Sequence, residues 1–355
     1  MMMDAQVPSD WRDQRIAYVE HGRFGRIGAI VIDSLTLGPA LGGCRMWRYE
    51  RFDDALLDAR RLSRGMSYKN AMAGLPLGGG KSVLLRPEQE ADRAGYFDAF
   101  AEAVDALGGR YLAAEDVGTA VTDMQRVRRK TPYVFGVPSA EGLAGGDPSP
   151  WTARGVFSSI SAVAARIGKP LGTLSVAVQG LGHVGMSLCQ LLFDEGVELM
   201  VADINPAALT HAERHFRAKA MPAVSIHAAD VDIFAPCALG AVLNENTIPQ
   251  IRARAVVGAA NNQLATDRDG SLLMERGILY APDYIVNAGG VINVAGEYLN
   301  ETPAMVGRKV EEIGERLLHV LDRAEEMRIP ANVAADLMAR EILLSRAQSA
   351  QIAAG

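Results

Sequence analysis

The stretch from position 175 to 203 constrains the fold more than any other part of this chain. Ser175–Gln179 is a short apolar, β-prone run that passes directly into Gly180-Leu181-Gly182-His183-Val184-Gly185, a match to G-x-G-x-x-G. MSLCQLLFDEG follows as a helix, and ELMVAD as a second strand that ends on Asp203. Strand, glycine turn, helix, strand and terminal acid in this order predict a parallel βαβ unit that binds a dinucleotide. Gly180 permits the tight turn, Gly182 lets the backbone approach a pyrophosphate, and Gly185 lets the helix pack on the strand. The helix N-terminus then offers free N–H groups and a positive dipole to the phosphates. Asp203 can accept hydrogen bonds from both ribose hydroxyls and would repel a 2′-phosphate. Ile204-Asn205-Pro206 supplies no arginine to welcome one, so NAD is expected rather than NADP.

At 355 residues the chain is long for one core and suits two domains of ordinary size. Its 49% apolar and 22% charged residues are globular composition. The formal net charge of −6 gives no basic field for nucleic acid or anionic lipid. MMMDAQVPSDWRDQRIAYVE has no basic segment followed by an apolar run, so no signal peptide is expected, and no run of apolar residues is long enough for a membrane span. Cys44, Cys189 and Cys237 are odd in number and far apart, which points to a reducing compartment, the cytoplasm. The six histidines make no metal-ligand pattern; His211 and His215 read as surface residues on one helix face, and no metal is expected.

The order of elements predicts an α/β protein of two domains. Arg15 to Glu20 and Ile27 to Asp33 read as strands around a turn. From 52 to 66 the period becomes helical, with Phe52, Ala55, Leu56, Ala59, Leu62 and Met66 on one stripe. AGLPLGGGKSVLL runs into an apolar strand, 91 to 107 is helical, and Tyr111 to Ala114 is a short strand. GVPSAEGLAGGDPSP, residues 136 to 150, holds four Gly and three Pro and reads as an interdomain linker and hinge, on which two domains would close over a cleft. The expected division is 1–135 for a substrate-binding and oligomerisation domain and 151–330 for a doubly wound dinucleotide domain, with 331–355 packing back on the first. LGGGKS resembles the end of a phosphate-binding P-loop, but that motif needs a glycine where Leu75 stands, and the spacing fails.

The first domain holds two lysines in unusual settings. Lys69, in GMSYKNA, falls three positions past Met66 on the buried stripe, and Lys81 follows three glycines and precedes SVLL. A buried ammonium without a task is costly, although either side chain could snorkel to solvent. Asp116 follows a short strand beside Glu115. It can serve chemistry on a sheet-edge loop, or it or Thr119 can cap a helix containing Val121, Met124 and Val127. The residues alone leave both readings open.

ALGGCRMW (40–47), GMSYKNA (65–71), LPLGGGKS (75–82), AAEDVGT (113–119), DPSPWTA (147–153), GLGHVG, APCALG (235–240), GAANNQL (258–264) and YAPDYIVNAGGVINV (280–294) together resemble the glutamate/leucine/phenylalanine/valine dehydrogenases, in the family's order across nearly the whole chain. The leucine and phenylalanine members are the most similar. The resemblance implies NAD-dependent oxidative deamination of an L-amino acid to the 2-oxo acid and ammonia, by a homo-oligomer joined through the first domain. It implies that Lys69 binds the substrate carboxylate with backbone near Gly43, and that Met66 lies with them. Lys81 would assist the attacking water, and Asp116 would move protons to and from the amino group. Thr152 and Asn262 would hold the nicotinamide end and the substrate. Gly180, Gly182, His183, Val184, Gly185, Asp203, Ala238 and Asn261 would bind the rest of the dinucleotide.

The positions that match the family's side-chain pocket are Leu41, Ala114, Val291 and Val294, all apolar. A side-chain carboxylate would find no cation there, and burying an unpaired charge costs several kcal/mol, so glutamate is disfavoured. The residue sizes resemble those of the leucine members, which implies leucine, valine and isoleucine first and phenylalanine second. Two other readings fare worse. An NAD enzyme of 2-hydroxy acids would normally use a histidine base, and only His21 lies near the first-domain motifs. A catalytically inactive NAD-binding regulator would have lost Lys81 or Asp116, and both are present.

Overall fold

The structure is a computed structural model, which describes residues 13–138, 141–238 and 240–354. The reading of the N-terminal segment falls largely on residues outside that range. The described residues form two compact units. The first takes the chain through Asp147, then Val294–Glu301 and the segment from Ala339 onward; the second takes Pro148–Asn293 and Thr302–Met338.

In the first unit the chain forms β1 (Arg15–His21), β2 (Gly25–Ser34), β3 (Ala40–Trp47), α1 (Phe52–Met72), β4 (Gly78–Leu85), α2 (Arg93–Ala106), β5 (Tyr111–Glu115) and α3 (Val121–Arg128). The sheet order is β1-β2-β4-β3-β5, antiparallel from β1 to β4 and parallel across β4, β3 and β5. Alternate side chains enter opposite faces. Ile30 and Leu84 pack with Phe97, Phe100 and Val104 of α2 and Met124 of α3, while Val31 and Val83 pack with Ala55 and Ala59 of α1. Period-2 patterning is absent from β3, because Gly42 and Gly43 interrupt it. Those glycines are what the parallel neighbours require. A Cβ on Gly42 would fall on the Gly80 carbonyl oxygen, and one on Gly43 would come within 2.7 Å of the Glu115 oxygen.

The same closeness displaces the buried face of α1. The expected stripe places Leu56, Leu62 and Met66 inward, but these are half-buried, and the buried residues are Ala55, Ala59, Ser63, Ser67, Tyr68, Asn70, Ala71 and Met72. The helix lies so near β4 that a Cβ on Gly79 would land on the Ser67 backbone nitrogen, and mostly small side chains fit between. GGGKS is entirely strand: Gly80, Lys81 and Ser82 pair with Ile32, Val31 and Ile30 of β2, so its backbone makes no phosphate loop.

In the second unit come α4 (Ser149–Arg166), β6 (Ser175–Gln179), α5 (His183–Asp194), β7 (Glu198–Ala202), α6 (Pro206–Phe216), β8 (Lys219–Ala220), β9 (Ile233–Pro236), β10 (Ala255–Val256), α7 (Asp267–Glu275), β11 (Leu279–Tyr280) and α8 (Asp283–Val286). They are followed by α9 (Gly289–Tyr298), α10 (Pro303–Glu311), α11 (Ile313–Met327) and α12 (Ala331–Ala354). The sheet is all parallel in the order β11-β10-β9-β6-β7-β8. Its strand order reverses between β6 and β9, the position at which doubly wound sheets open a crevice for a ligand. From Val294, α9 counts with the first unit, and so does α12 from Ala339.

Two boundaries differ from the sequence reading. The segment read as a linker from 136 belongs to the first unit through Asp147. Gly136 is buried with its N–H on Glu297 Oε2 at 2.7 Å, and the Ala144 N–H reaches the Glu301 carbonyl at 2.8 Å. Its Gly and Pro density serves irregular packing there, while residues 139 and 140 lie outside the description. The C-terminal return begins at Ala339 rather than 331, since Asn332 packs on Gly270 and Asp336 accepts from the Tyr284 hydroxyl at 2.9 Å, both within the second unit. Among the described residues no helix is long and apolar enough to cross a membrane.

Gly79→Ala should lower the unfolding midpoint sharply, because backbone lies where the methyl would go; overpacking typically costs about 1–3 kcal/mol. Gly65→Ala, on the exposed side of α1 where a Cβ meets nothing, should be neutral or stabilising by about 0.5–1 kcal/mol. Thermal unfolding of the two variants checks the pair; equal midpoints would refute the packing argument.

Candidate active site

Lys81 lies inside β4 and is only 6% exposed. Its Nζ is 2.8 Å from Asp116 Oδ2. Asp116 follows β5 and reaches this point because Gly43 has no side chain: a Cβ there would lie 2.8 Å from the Asp116 Cβ. The same Oδ2 takes the Arg45 Nε at 3.1 Å. Burial alone would raise the Asp116 pKa, but Lys81 and then Arg45 prevail and hold it down at about 2. Behind Arg45 the chain of charges continues. Its Nη1 is 3.0 Å from Asp58 Oδ2, which also accepts from the Tyr49 hydroxyl at 2.6 Å, and Arg61 reaches Asp58 Oδ1 at 3.2 Å.

The helix-capping task left open by the sequence goes to a different residue. Asp123 accepts the Ala120 N–H at 2.9 Å at the start of α3. Thr119 instead clips the loop: its hydroxyl accepts the Asp116 N–H at 3.0 Å and lies 3.0 Å from the Cys44 carbonyl oxygen. The Tyr111 hydroxyl donates to the Gly42 carbonyl at 2.7 Å and lies 3.0 Å from Ser82 Oγ, fixing the Gly42–Gly43 backbone. Cys44 is buried, and burial pushes its thiol up to about 12, which removes it as a nucleophile.

Around this pair the first unit collects other residues singled out in the sequence. Leu41, buried in β3, has Gly79 and Leu112 as strand partners, and Ala114 lies opposite Gly43. Ala114 and Val294 meet at Gly136, where a Cβ would touch both at 3.9 and 3.8 Å. Lys69 is half-buried in the last turn of α1, and Met66 is half-buried one turn earlier. Asn262, Val291 and Thr152 belong to the second unit. There Thr152 packs beside Gly290 at the start of α9.

Sequence reasoning missed Arg45, Asp58, Tyr49, Gly136 and Glu297. Arg45 was detectable, since it follows Gly43 by two on the same strand face. Glu297 stands out as the one acid in the apolar helix GGVINVAGEY; burial raises its pKa while it holds the Gly136 N–H, with Arg128 4.0 Å away.

In the second unit the glycine turn lies at the carboxyl ends of β6 and β9. Gly180 has φ +96°, and a Cβ there would meet Ala238 at 2.8 Å. A Cβ on Gly185 would fall on the Gly180 carbonyl oxygen. Gly182 is different: a Cβ there meets nothing within 4 Å. It begins α5, whose first N–H groups have no partner within the helix. Open space before free donors fits a phosphate group. His183 is exposed in the first turn and Val184 half-buried. Asp203 accepts the Leu181 N–H at 2.6 Å and the Asn205 N–H at 2.7 Å, which ties the acid at the end of β7 to the turn. Asn261 Oδ1 accepts from Asn287 at 2.7 Å, and Asn262 takes φ +52° beside Gly240. His211 and His215 stack on α6 with ring centroids 4.0 Å apart, both exposed. Among the described residues no group of three or more His, Cys, Asp or Glu gathers to hold a metal ion.

Residues 20–133 match the model of the Glu/Leu/Phe/Val dehydrogenase dimerisation domain, and residues 198–339 match that of the Glutamate/Leucine/Phenylalanine/Valine dehydrogenases. The leucine dehydrogenase of Geobacillus stearothermophilus is 44% identical over 330 residues, 92% of this chain and 90% of that one. The phenylalanine dehydrogenase of Bacillus thermotolerans is 38% identical, covering 94% and 89% of the two chains. The crystal structure of L-tryptophan dehydrogenase from Nostoc punctiforme superposes with a TM-score of 0.82 at 37% identity, over 94% of this chain and 96% of that one. With a buried lysine–aspartate pair in one unit and a dinucleotide turn in the other, the chain belongs to the glutamate/leucine/phenylalanine/valine dehydrogenase family, oxidoreductases that act on the CH–NH2 group of amino acids.

Proposed function

We propose that this chain catalyses the reversible, NAD-dependent oxidative deamination of an apolar L-amino acid, with leucine, valine and isoleucine preferred. The observation that carries this reading is the 2.8 Å contact between buried Lys81 and Asp116 beside Gly43, with Leu41, Ala114 and Val294 apolar in the same unit. Lys69 and the backbone near Gly43 take the substrate carboxylate. Asp116 takes a proton from the amino group. Bound NAD+ supplies the hydride acceptor. With the α-carbon's hydride passed to that acceptor, Lys81 directs water to the imine carbon through its Nζ, Asp116 returns its proton to the nitrogen, and ammonia leaves as the 2-oxo group forms. Residues with proton-transfer tasks of this kind typically contribute about 10²–10⁴-fold.

NAD rather than NADP is supported by Asp203, whose carboxylate is held at the turn and would repel a 2′-phosphate. Gly180, Gly182, His183, Val184, Gly185, Ala238 and Asn261 would line the dinucleotide, with Thr152 and Asn262 toward its nicotinamide. Apolar Ala114 and Val294 oppose a carboxylate on the substrate side chain. Relatives named for phenylalanine and tryptophan support an aromatic amino acid, phenylalanine, as the second substrate. A homo-oligomer built through the first unit is supported by the match of residues 20–133 to a dimerisation domain. Three free thiols suit a cytoplasmic setting.

NADH absorbance with a panel of L-amino acids at alkaline pH should rise with leucine, valine and isoleucine, less with phenylalanine, and not with glutamate. No rise with any of them would sink the reading. Lys81→Ala should lose turnover by at least about 10²-fold while NADH still binds; retained turnover would remove Lys81 from the chemistry. Gly182→Ala should leave the unfolding midpoint unchanged and weaken NADH binding roughly tenfold, about 1.4 kcal/mol. Unchanged affinity in a fluorescence titration would refute the pyrophosphate assignment.

A further inference from the structure

Arg45 lies where two acids and a strand meet, and its surroundings give it a task that rests on the deamination reading. Its side chain is 17% exposed and spans from Asp116 to Asp58, at 3.1 and 3.0 Å. Both cations that touch Asp116, Lys81 and Arg45, meet the same oxygen, Oδ2. Oδ1 therefore takes no such contact among the described residues. Arg45 itself cannot swing freely. Asp58 on α1 holds its other end, and Asp58 is fixed in turn by the Tyr49 hydroxyl at 2.6 Å and by Arg61 at 3.2 Å. A guanidinium stays charged under all working conditions and binds through a planar fork, so it sets orientation as well as charge.

We infer that Arg45 is a positioning residue for the reaction: anchored by Asp58 and Tyr49, it pins Asp116 Oδ2, keeps the carboxylate ionised, and leaves Oδ1 as the oxygen that exchanges protons with the substrate amino group. Lys81 has a second task at the water, whereas Arg45 is held at both ends by Asp116 and Asp58. Arg45 supplies the permanent positive charge. The other ionisable groups within electrostatic reach are few. From β3 there is the un-ionised Cys44 thiol, from β5 the buried Tyr111 hydroxyl and the neighbouring Glu115, and Asp123 stands on α3. None of these is a cation; Arg93 stands beside the same loop, on Asp123 and the Gly118 carbonyl, and Lys69 on α1, but the two largest influences that lower Asp116 are Lys81 and then Arg45, so with Arg45 removed Lys81 carries most of the opposition to burial. The sign follows: loss of Arg45 moves the protonation of Asp116 upward from about 2, toward the ordinary carboxylate range and beyond.

The test compares wild type, Arg45→Met, Arg45→Lys and Tyr49→Phe. Arg45→Met should lower kcat by 10- to 100-fold, change KM for the amino acid less than threefold, and leave NADH affinity unchanged. In the amination direction it should show an acid limb within the pH range where wild type is folded and its rate stays flat. Arg45→Lys, which restores charge without the fork, should recover the flat profile but only part of kcat. Tyr49→Phe should cost kcat less than fivefold. Should Arg45→Met fail to fold, Arg45→Lys and Tyr49→Phe carry the comparison. Isotope-edited infrared of the Asp116 carboxyl, with Asp116→Asn as the blank, reads its protonation without turnover. An unmoved carboxyl titration, no acid limb in Arg45→Met, or a loss seen wholly in KM would overturn the role of Arg45. Absence of turnover in wild type would instead overturn the deamination reading, and the infrared titration would still decide the electrostatic part.

Discussion

The first unit depends on backbone brought closer to backbone than side chains allow. β4 carries Gly78, Gly79 and Gly80 in succession, and β3 carries Gly42 and Gly43 beside it. A Cβ at Gly78 would fall on the Ser34 carbonyl, at Gly79 on Ser67, and at Gly42 on Gly80. Glycine weakens a strand, so five in two adjacent strands cost conformational entropy. That cost is offset by what closeness makes possible. α1 sits on the sheet through alanines and serines, and Lys81, the first residue of β4 after the glycines, is held in the interior with its ammonium at the carboxyl end of β5.

An ammonium and a carboxylate there would be expensive to bury alone, and a single pair offsets desolvation only with good geometry and further hydrogen bonds. The structure supplies these by extension. Lys81, Asp116, Arg45 and Asp58 alternate in sign, and the chain runs out to Tyr49 and Arg61 nearer the surface. Each interior charge has an opposite neighbour, and the last is partly hydrated. The arrangement keeps Asp116 ionised against burial, and it couples α1, β3, β4 and the loop after β5 in one network. Such a network fixes the positions of its members, which is what proton transfer over a hydrogen-bond distance requires.

The sequence made the second unit legible because its signal is local: strand, turn, helix, strand and acid occur within thirty residues and each has one meaning. The strands and helices of the first unit were read from period alone, except β3, whose glycines erase the period that would announce it. The stripe of α1 was misplaced for a related reason. Hydrophobic periodicity assumes that a helix buries its largest apolar residues, whereas here proximity to Gly79 selected Ser63 and Ser67 for the buried side. Gly and Pro density at 136 resembles a linker because composition cannot tell a mobile segment from one tied down through its N–H groups, as Gly136 is by Glu297. Lys81 and Asp116 were visible as candidates, but their partner Arg45 lies 71 positions from Asp116, and only the register of β3 with β5 brings them together.

The glycines of the dinucleotide turn carry one more distinction. Gly180 has a backbone conformation that side chains disfavour, and Gly185 faces a carbonyl oxygen, so the chain's own folding explains both. Gly182 has an ordinary φ of −68° and empty space where a Cβ would stand. Elsewhere an unobstructed glycine such as Gly65 lies on an exposed helix face, where any residue would serve. Gly182 instead stands at the start of α5 in front of N–H groups that the helix cannot satisfy. A glycine that neither strain nor packing requires, set before such donors, leaves open space in front of them. A phosphate group has the charge and size to use both the donors and the space.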